Sequence, residues 1–140
     1  MNVLVNDHDN DKNGRGFYRE RKGRSVRVDR TVYSLAGVRR SVELPLETLQ
    51  ERLVLAMVNE AAVCLGDGVV REARDVDVAM VLGAGFPSFR GGPLRHADHV
   101  GIAGLVDRLS RLADAHGERF RPAGLLRDRA REQRRFHPAG

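Results

Sequence analysis

Four groups of residues in this sequence have types and spacings that could do chemistry. The first is Asp9-Asn10-Asp11-Lys12-Asn13-Gly14 followed by Glu20. Carboxylate and amide oxygens at alternate positions, a central glycine and a closing glutamate match the spacing of an EF-hand calcium loop. Its flanks argue against that use: the stretch before it is too short for an entering helix, Gly16 stands where an apolar residue pairs two loops, and RKGRSVRVD reads as a strand. The second group is His96, Asp98 and His99, two imidazoles one helical turn apart with a carboxylate between them. Without a third firm ligand the pattern fits caps and surface groups, and no metal is assigned to it. The third is Gly83-Ala84-Gly85, which opens like a dinucleotide-binding turn, but Ser88 occupies the place of the last glycine and no strand precedes it. The fourth is Asn59 and Glu60, the only polar residues between Leu53 and Leu65. They are expected to form a buried polar pair whose role is structural hydrogen bonding. No nucleophile elbow, phosphate-binding Walker loop or zincin motif is present, so no residue is assigned as catalytic or cofactor-binding.

One loop remains as a candidate site, GFPSFRGGP. Its glycines permit backbone shapes that residues with a Cβ resist, and Pro87 and Pro93 restrict the rest, so the loop should hold one shape. Phe86, Phe89, Arg90, Gly91, Gly92 and Pro93 are its expected architectural or docking residues. Arg90 carries a planar fork of donors, and the expected partner is Glu60 on the neighbouring apolar segment.

These residues need elements to position them, and the largest is PLETLQERLVLAMVNEAAVCL, Pro45 to Leu65. It is apolar on nearly every side, which predicts a long helix buried all round. Glu47, Glu51, Arg52 and Glu60 interrupt it, so it is not a membrane span. Ahead of it, Phe17 to Arg21 and Arg24 to Val28 flank Lys22-Gly23 and predict a short hairpin. Asp29 should cap a short helix closed by Gly37. Beyond the core helix, Leu65-Gly66-Asp67-Gly68 ends it, Val76, Val78, Val81 and Leu82 mark a second helix stopping at Gly83, and Pro93 starts a third. Ile102, Leu105, Val106, Leu109, Leu112 and Ala113 recur at helical spacing up to Gly117. No βαβ alternation, repeat or heptad run is visible, so the class is all-α with a short N-terminal β-hairpin linker. The expected division is a disordered tail at 1–12, a linker with hairpin and short helix at 13–40, a helical domain at 41–126, and a charged tail that frays at 127–140.

With 140 residues the chain has room for one domain and its tails. Cys64 is the single cysteine, so no intrachain disulfide forms and a reducing, cytoplasmic setting fits. The N-terminus lacks the basic and apolar regions of a signal or transit peptide. A net charge of +5 invites a nucleic-acid partner. However, the basic residues are almost all arginine, with only Lys12 and Lys22, many stand beside Asp or Glu, and Trp is absent. Composition therefore argues against nucleic acid.

The run ERLVLAMVNEAAVCLGDGVVREARDVDVAMVLGAGFPSFRGGPLRHAD, residues 51–98, resembles the C-terminal domain of 3-hydroxyacyl-CoA dehydrogenases. It is closest in pattern to the second copy of that domain in the multifunctional fatty-acid oxidation complex α subunit. KNGRGFYRERKGR at 12–24 is similar to the linker between the two copies, and the likeness continues to Leu126. The ordered VNEA, RDVD and GFPSFRGGP motifs carry it. The resemblance implies a helical fold of the 6-phosphogluconate dehydrogenase C-terminal-like type and a place in β-oxidation. In that family NAD and the catalytic His-Glu pair depend on a Rossmann domain, and nothing here matches its glycine fingerprint or its His. The first copy enters its core helix with an NRLL-like motif whose Asn approaches the thioester; Glu51 stands at that position here. Arg52, Asn59 and Glu60 match the family and read as helix-packing and capping residues. Met1-Asn2-Val3-Leu4-Val5 does not resemble the family, as in a split or truncated gene. The leading expectation is a packing or association module, not competent for hydride transfer alone, that forms a homo-oligomer or joins a Rossmann or hydratase subunit. A trans-acting subunit that completes such a dehydrogenase is the second expectation, and an Arg-rich nucleic-acid-binding module the third.

Overall fold

The computed structural model describes residues 18–21, 24–35, 37 and 43–138. The expected tail at 1–12, the calcium-like spacing from Asp9 to Gly14 and the Lys22-Gly23 turn lie outside the described residues. Two compact units divide the chain between Glu43 and Leu44. In the first, β1 (Tyr18–Arg21) pairs antiparallel with β2 (Arg24–Val28), Arg21 opposite Arg24 and Tyr18 opposite Val28, with a shift of register between Arg19 and Glu20. Helix α1 (Thr31–Leu35) follows. The Asp29 carboxylate accepts the Thr31 backbone N–H at 3.0 Å and its hydroxyl at 2.8 Å, the capping expected of an Asp ahead of a helix. Gly37 takes the left-handed conformation, φ 68°.

The second unit holds five helices among the described residues: α2 (Leu46–Gly66), α3 (Ala73–Gly83), α4 (Pro93–Val100), α5 (Ile102–His116) and α6 (Gly124–Glu132). Short 3-10 turns at Ser88–Arg90 and Glu118–Phe120 sit between them. Helix α2 packs against α3, α4, α6 and the second turn, and α5 packs against α4, α6 and that same turn. Leu55, Val58, Ala61, Ala62, Val76, Leu94, Leu105, Leu109 and Leu126 form the shared core. The breaks follow from local chemistry. Gly101, φ 91°, separates α4 from α5, while Gly117, φ 94°, ends α5, positions where a Cβ would be strained. After α2 the left-handed residue is Gly68, φ 71°, whose N–H reaches the Leu65 carbonyl at 3.2 Å.

Two expectations change. Helix α2 is not wrapped on all sides: Leu46, Leu49, Leu53, Ala56 and Glu60 are exposed along one face, with Leu53 at 66%. An uninterrupted apolar sequence showed that the segment is helical but did not show which face its neighbours cover. Residues 127–138 do not fray as a charged tail either. Helix α6 runs to Glu132 and closes on Gln133 in the left-handed conformation, φ 53°. Ala130 and Phe136 pack against the core and His137 is buried. The arginines of this stretch hold their charges in solvent, so a sequence dense in charge still supplies the few apolar side chains that dock it.

Candidate functional site

Two buried polar side chains, Asn59 and Asp77, and a half-buried one, Asp98, tie the helices of the second unit together. Asn59, on α2, accepts the Ala123 N–H at 2.8 Å and donates its amide to the Arg121 carbonyl at 2.9 Å. It thus satisfies both ends of its own amide and the backbone entering α6. Asp77, on α3 and 3% exposed, accepts the N–H groups of Leu94 at 2.7 Å and Arg95 at 3.2 Å. These are orphan donors in the first turn of α4, where a carboxylate is favoured by the helix dipole. The His137 Nε2 reaches the same carboxylate at 2.8 Å. Asp98, on α4, accepts the N–H groups of Phe136 at 2.8 Å and His137 at 2.9 Å. Two carboxylates therefore hold the segment after α6 in place.

The GFPSFRGGP loop supports this arrangement from outside. Phe86 is 2% exposed, with its ring 6.3 Å from that of His96, while Phe89 is 85% exposed. Gly92, φ 113°, passes so close to Asp77 that a Cβ there would overlap the carboxylate. Pro93 is the first residue of α4, where its missing N–H costs nothing. The loop is thus half anchor and half display: Phe86, Gly92 and Pro93 face inward, Phe89, Arg90 and Gly91 outward.

The expected pairing of Arg90 with Glu60 is overturned. Glu60 lies on the exposed face of α2 and is not buried with Asn59; the two adjacent residues sit about 100° apart around a helix and cannot both face the core. Arg90 instead donates to His96 Nε2 at 3.0 Å and lies over the Phe89 ring at 5.6 Å. His96 therefore accepts as a neutral imidazole, and Asp98 is occupied by backbone donors, so the histidine-aspartate spacing serves packing. Asp77 and His137 were missing from the sequence-level site. The signal for Asp77 was its position one turn beyond Ala73 and beside Val76, the face that is buried; Val78 and Leu82, expected inside, are exposed. His137 carried no local signal at all.

His96 titrates below the ordinary imidazole value because of its burial, then the nearby Arg90, His99 and Arg108. Above the unfolded value the ring is neutral in both states. As pH falls through that value the unfolded chain takes up a proton that folded His96 resists, so its stabilising contribution is lost towards the depressed folded value. Thermal midpoints followed from about pH 7.5 to about pH 5 should fall more for the natural chain than for His96→Gln; parallel curves would contradict this.

Gly83-Ala84-Gly85 closes α3, whereas a dinucleotide turn leads from a strand into a helix whose N-terminus faces the pyrophosphate. Among the described residues no helix is long and apolar enough to cross a membrane. Residues 49–138 match the family described as 3-hydroxyacyl-CoA dehydrogenase, C-terminal domain. The chain belongs to that family. The RDVD, GFPSFRGGP and HAD stretches, which carry Asp77, Gly92 and Asp98, lie within the matched residues. The chain is also 42% identical over 138 residues to the fatty acid oxidation complex subunit alpha of Vibrio vulnificus (strain CMCP6), a match covering 98% of this chain and 19% of that protein. The same-named subunit of Vibrio parahaemolyticus serotype O3:K6 (strain RIMD 2210633) is 39% identical over 138 residues, 98% of this chain and 20% of the relative. That of Shewanella sp. (strain MR-4) is 37% identical over 139 residues, 96% and 20%. This member of the dehydrogenase C-terminal family thus spans about one fifth of the length of the curated relatives it matches.

Proposed function

We propose that this chain is a packing and association module of fatty-acid β-oxidation, contributing a helical scaffold to a partner that carries the hydride-transfer chemistry. The observation that supports it is the bare face of α2. Leu46 and Leu53 are 62% and 66% exposed, and Leu49 and Ala56 lie on the same stripe. Covering such side chains contributes on the order of 1.5–3 kcal/mol for each one fully buried. An apolar stripe along a central helix is the mark of an association surface. Its occupant in this reading is a Rossmann or hydratase segment of the kind the family resemblance implies; the matched region is about one fifth of the length of the α subunits. NAD would bind on that partner, and the buried polar residues here would serve the scaffold.

The test is to mix the purified chain with the Vibrio vulnificus α subunit from which the matched region has been removed, and to measure association by sedimentation. Binding is expected, and Leu53→Asp should weaken it by at least about tenfold, the equivalent of about 1.4 kcal/mol, without unfolding the chain, since Leu53 is exposed. Loss of association only through self-pairing of this chain would replace the partner with a second copy. No association, or equal association by the variant, would overturn the reading, and NAD-dependent oxidation of a 3-hydroxyacyl-CoA by the chain alone would remove its division of labour.

A further inference from the structure

Among the described residues of the second unit, Arg74 lies beside Glu72, Arg108 beside Glu51, Arg121 beside Glu118, Arg131 beside Asp128 and Arg134 beside Glu132. Beside the displayed half of the GFPSFRGGP loop the pattern changes. A pocket of about 380 Å³ is walled by Phe89, Arg90, Arg95, His96, His99 and Arg135, and among the described residues no carboxylate lines it. Among the described residues, none of Arg90, Arg95 and Arg135 forms an ion pair. Three guanidinium groups gathered around one concavity repel one another unless an anion lies between them.

The geometry is held from below. Arg95 is placed by its own backbone N–H, which reaches Asp77 at 3.2 Å, and Arg90 by the contact of 3.0 Å with His96. Arg135 adjoins Phe136, whose N–H is held by Asp98 at 2.8 Å. Arg95 and Arg135 therefore project from segments tied to Asp77 and Asp98, and Arg90 from one held by His96. Burial and the neighbouring cations keep His96 neutral, which leaves it an acceptor towards Arg90 and leaves the remaining Arg90 donors for a ligand. Three forks offer more donors than a single carboxylate has oxygens to accept, and a phosphate or diphosphate supplies the further acceptors. Phe89, 85% exposed at the rim, offers a ring face to whatever the phosphate is attached to.

We propose that this pocket binds the phosphate or diphosphate group of a small ligand, with Arg90, Arg95 and Arg135 donating to its oxygens and Phe89 lying against its organic part. This stands independently of the apolar face of α2. Calorimetric titration with inorganic pyrophosphate at constant ionic strength, run beside sodium sulfate, tests it, with ADP as the second probe. Pyrophosphate should bind saturably at one site and raise the thermal midpoint, as any ligand of the native state must. Arg135→Ala, an exposed position, should weaken binding by at least about tenfold, while Arg74→Ala leaves it unchanged. Arg135→Lys, which keeps the charge and removes the fork, should fall between them. ADP should bind more tightly than pyrophosphate, and Phe89→Ala should abolish only that difference. A response to pyrophosphate no greater than to sulfate, equal losses in Arg135→Ala and Arg74→Ala, or saturation only by an oligonucleotide or by anionic vesicles would each overturn the proposal. Equal affinity for ADP and pyrophosphate would overturn the part assigned to Phe89.

Discussion

Asp77→Ala is expected to be the most damaging single substitution in the helical unit, with a loss of about 3–5 kcal/mol. The change strands three groups at once. The Leu94 and Arg95 N–H groups lose the acceptor that caps α4, and the buried His137 loses the carboxylate 2.8 Å from its Nε2. A buried donor left without a partner keeps its full desolvation cost, and each such group adds about 1–3 kcal/mol to the loss. In a domain of this size a change of 1 kcal/mol moves the thermal midpoint by about 4–8 °C, so denaturation followed by circular dichroism resolves the effect easily. Asp77→Asn preserves one acceptor oxygen and should recover part of the loss. If Asp77→Ala melts within a few degrees of the natural chain, the carboxylate is not the tie between α3, α4 and the segment after α6.

Gly92→Ala should come next, at about 3 kcal/mol or more, although it adds only one methyl group. Two costs combine. The backbone there has φ 113° and ψ 166°, a region held almost entirely by glycine, which an L residue adopts at a penalty of about 1–3 kcal/mol. The new Cβ would also overlap the Cβ, Cγ and Oδ1 of Asp77, and the carboxylate cannot retreat without abandoning the α4 cap. The neighbouring Gly91 provides the control. It has φ 76°, but a Cβ there meets only the Arg95 side chain, which is exposed and can swing away. Gly91→Ala should therefore show the backbone penalty alone. Repeating Gly92→Ala in an Asp77→Gly background separates the terms, because the overlap is gone and about 1–3 kcal/mol should remain. Equal costs for Gly91→Ala and Gly92→Ala would mean that the contact with Asp77 is not what selects glycine.

What could be read in advance divides along a physical line. Helices α4 and α5 were legible because Pro93 and Gly117 act through their own backbone and Ile102 to Ala113 recur at helical spacing, and a local rule needs only local sequence. Asn59 was legible as a buried polar group because it interrupts an apolar run, yet its partners Arg121 and Ala123 lie more than sixty residues away, where no spacing rule reaches. Glu60 was misplaced for the complementary reason: a run apolar on all sides conceals the orientation of the helix, and only the packing of α3, α4 and α6 shows which side is left open. The fate of residues 127–138 was the least legible. Their composition is that of a solvated tail, and the groups that hold them, Asp77 and Asp98, belong to other helices.

The separations of those contacts also bear on the order in which the molecule assembles. Asp77 joins His137 across sixty positions and Asn59 joins Ala123 across sixty-four, while every helix closes its own bonds within a turn. Loop closure over such distances is slow relative to helix growth. The carboxylate and amide ties are therefore expected to close after the helices have formed, which folding and unfolding rates of Asp77→Ala would check. Interactions made after the barrier govern how fast a protein comes apart more than how fast it forms. In this fold the buried polar ties act as latches: they determine the lifetime of the folded state once the apolar faces have found one another.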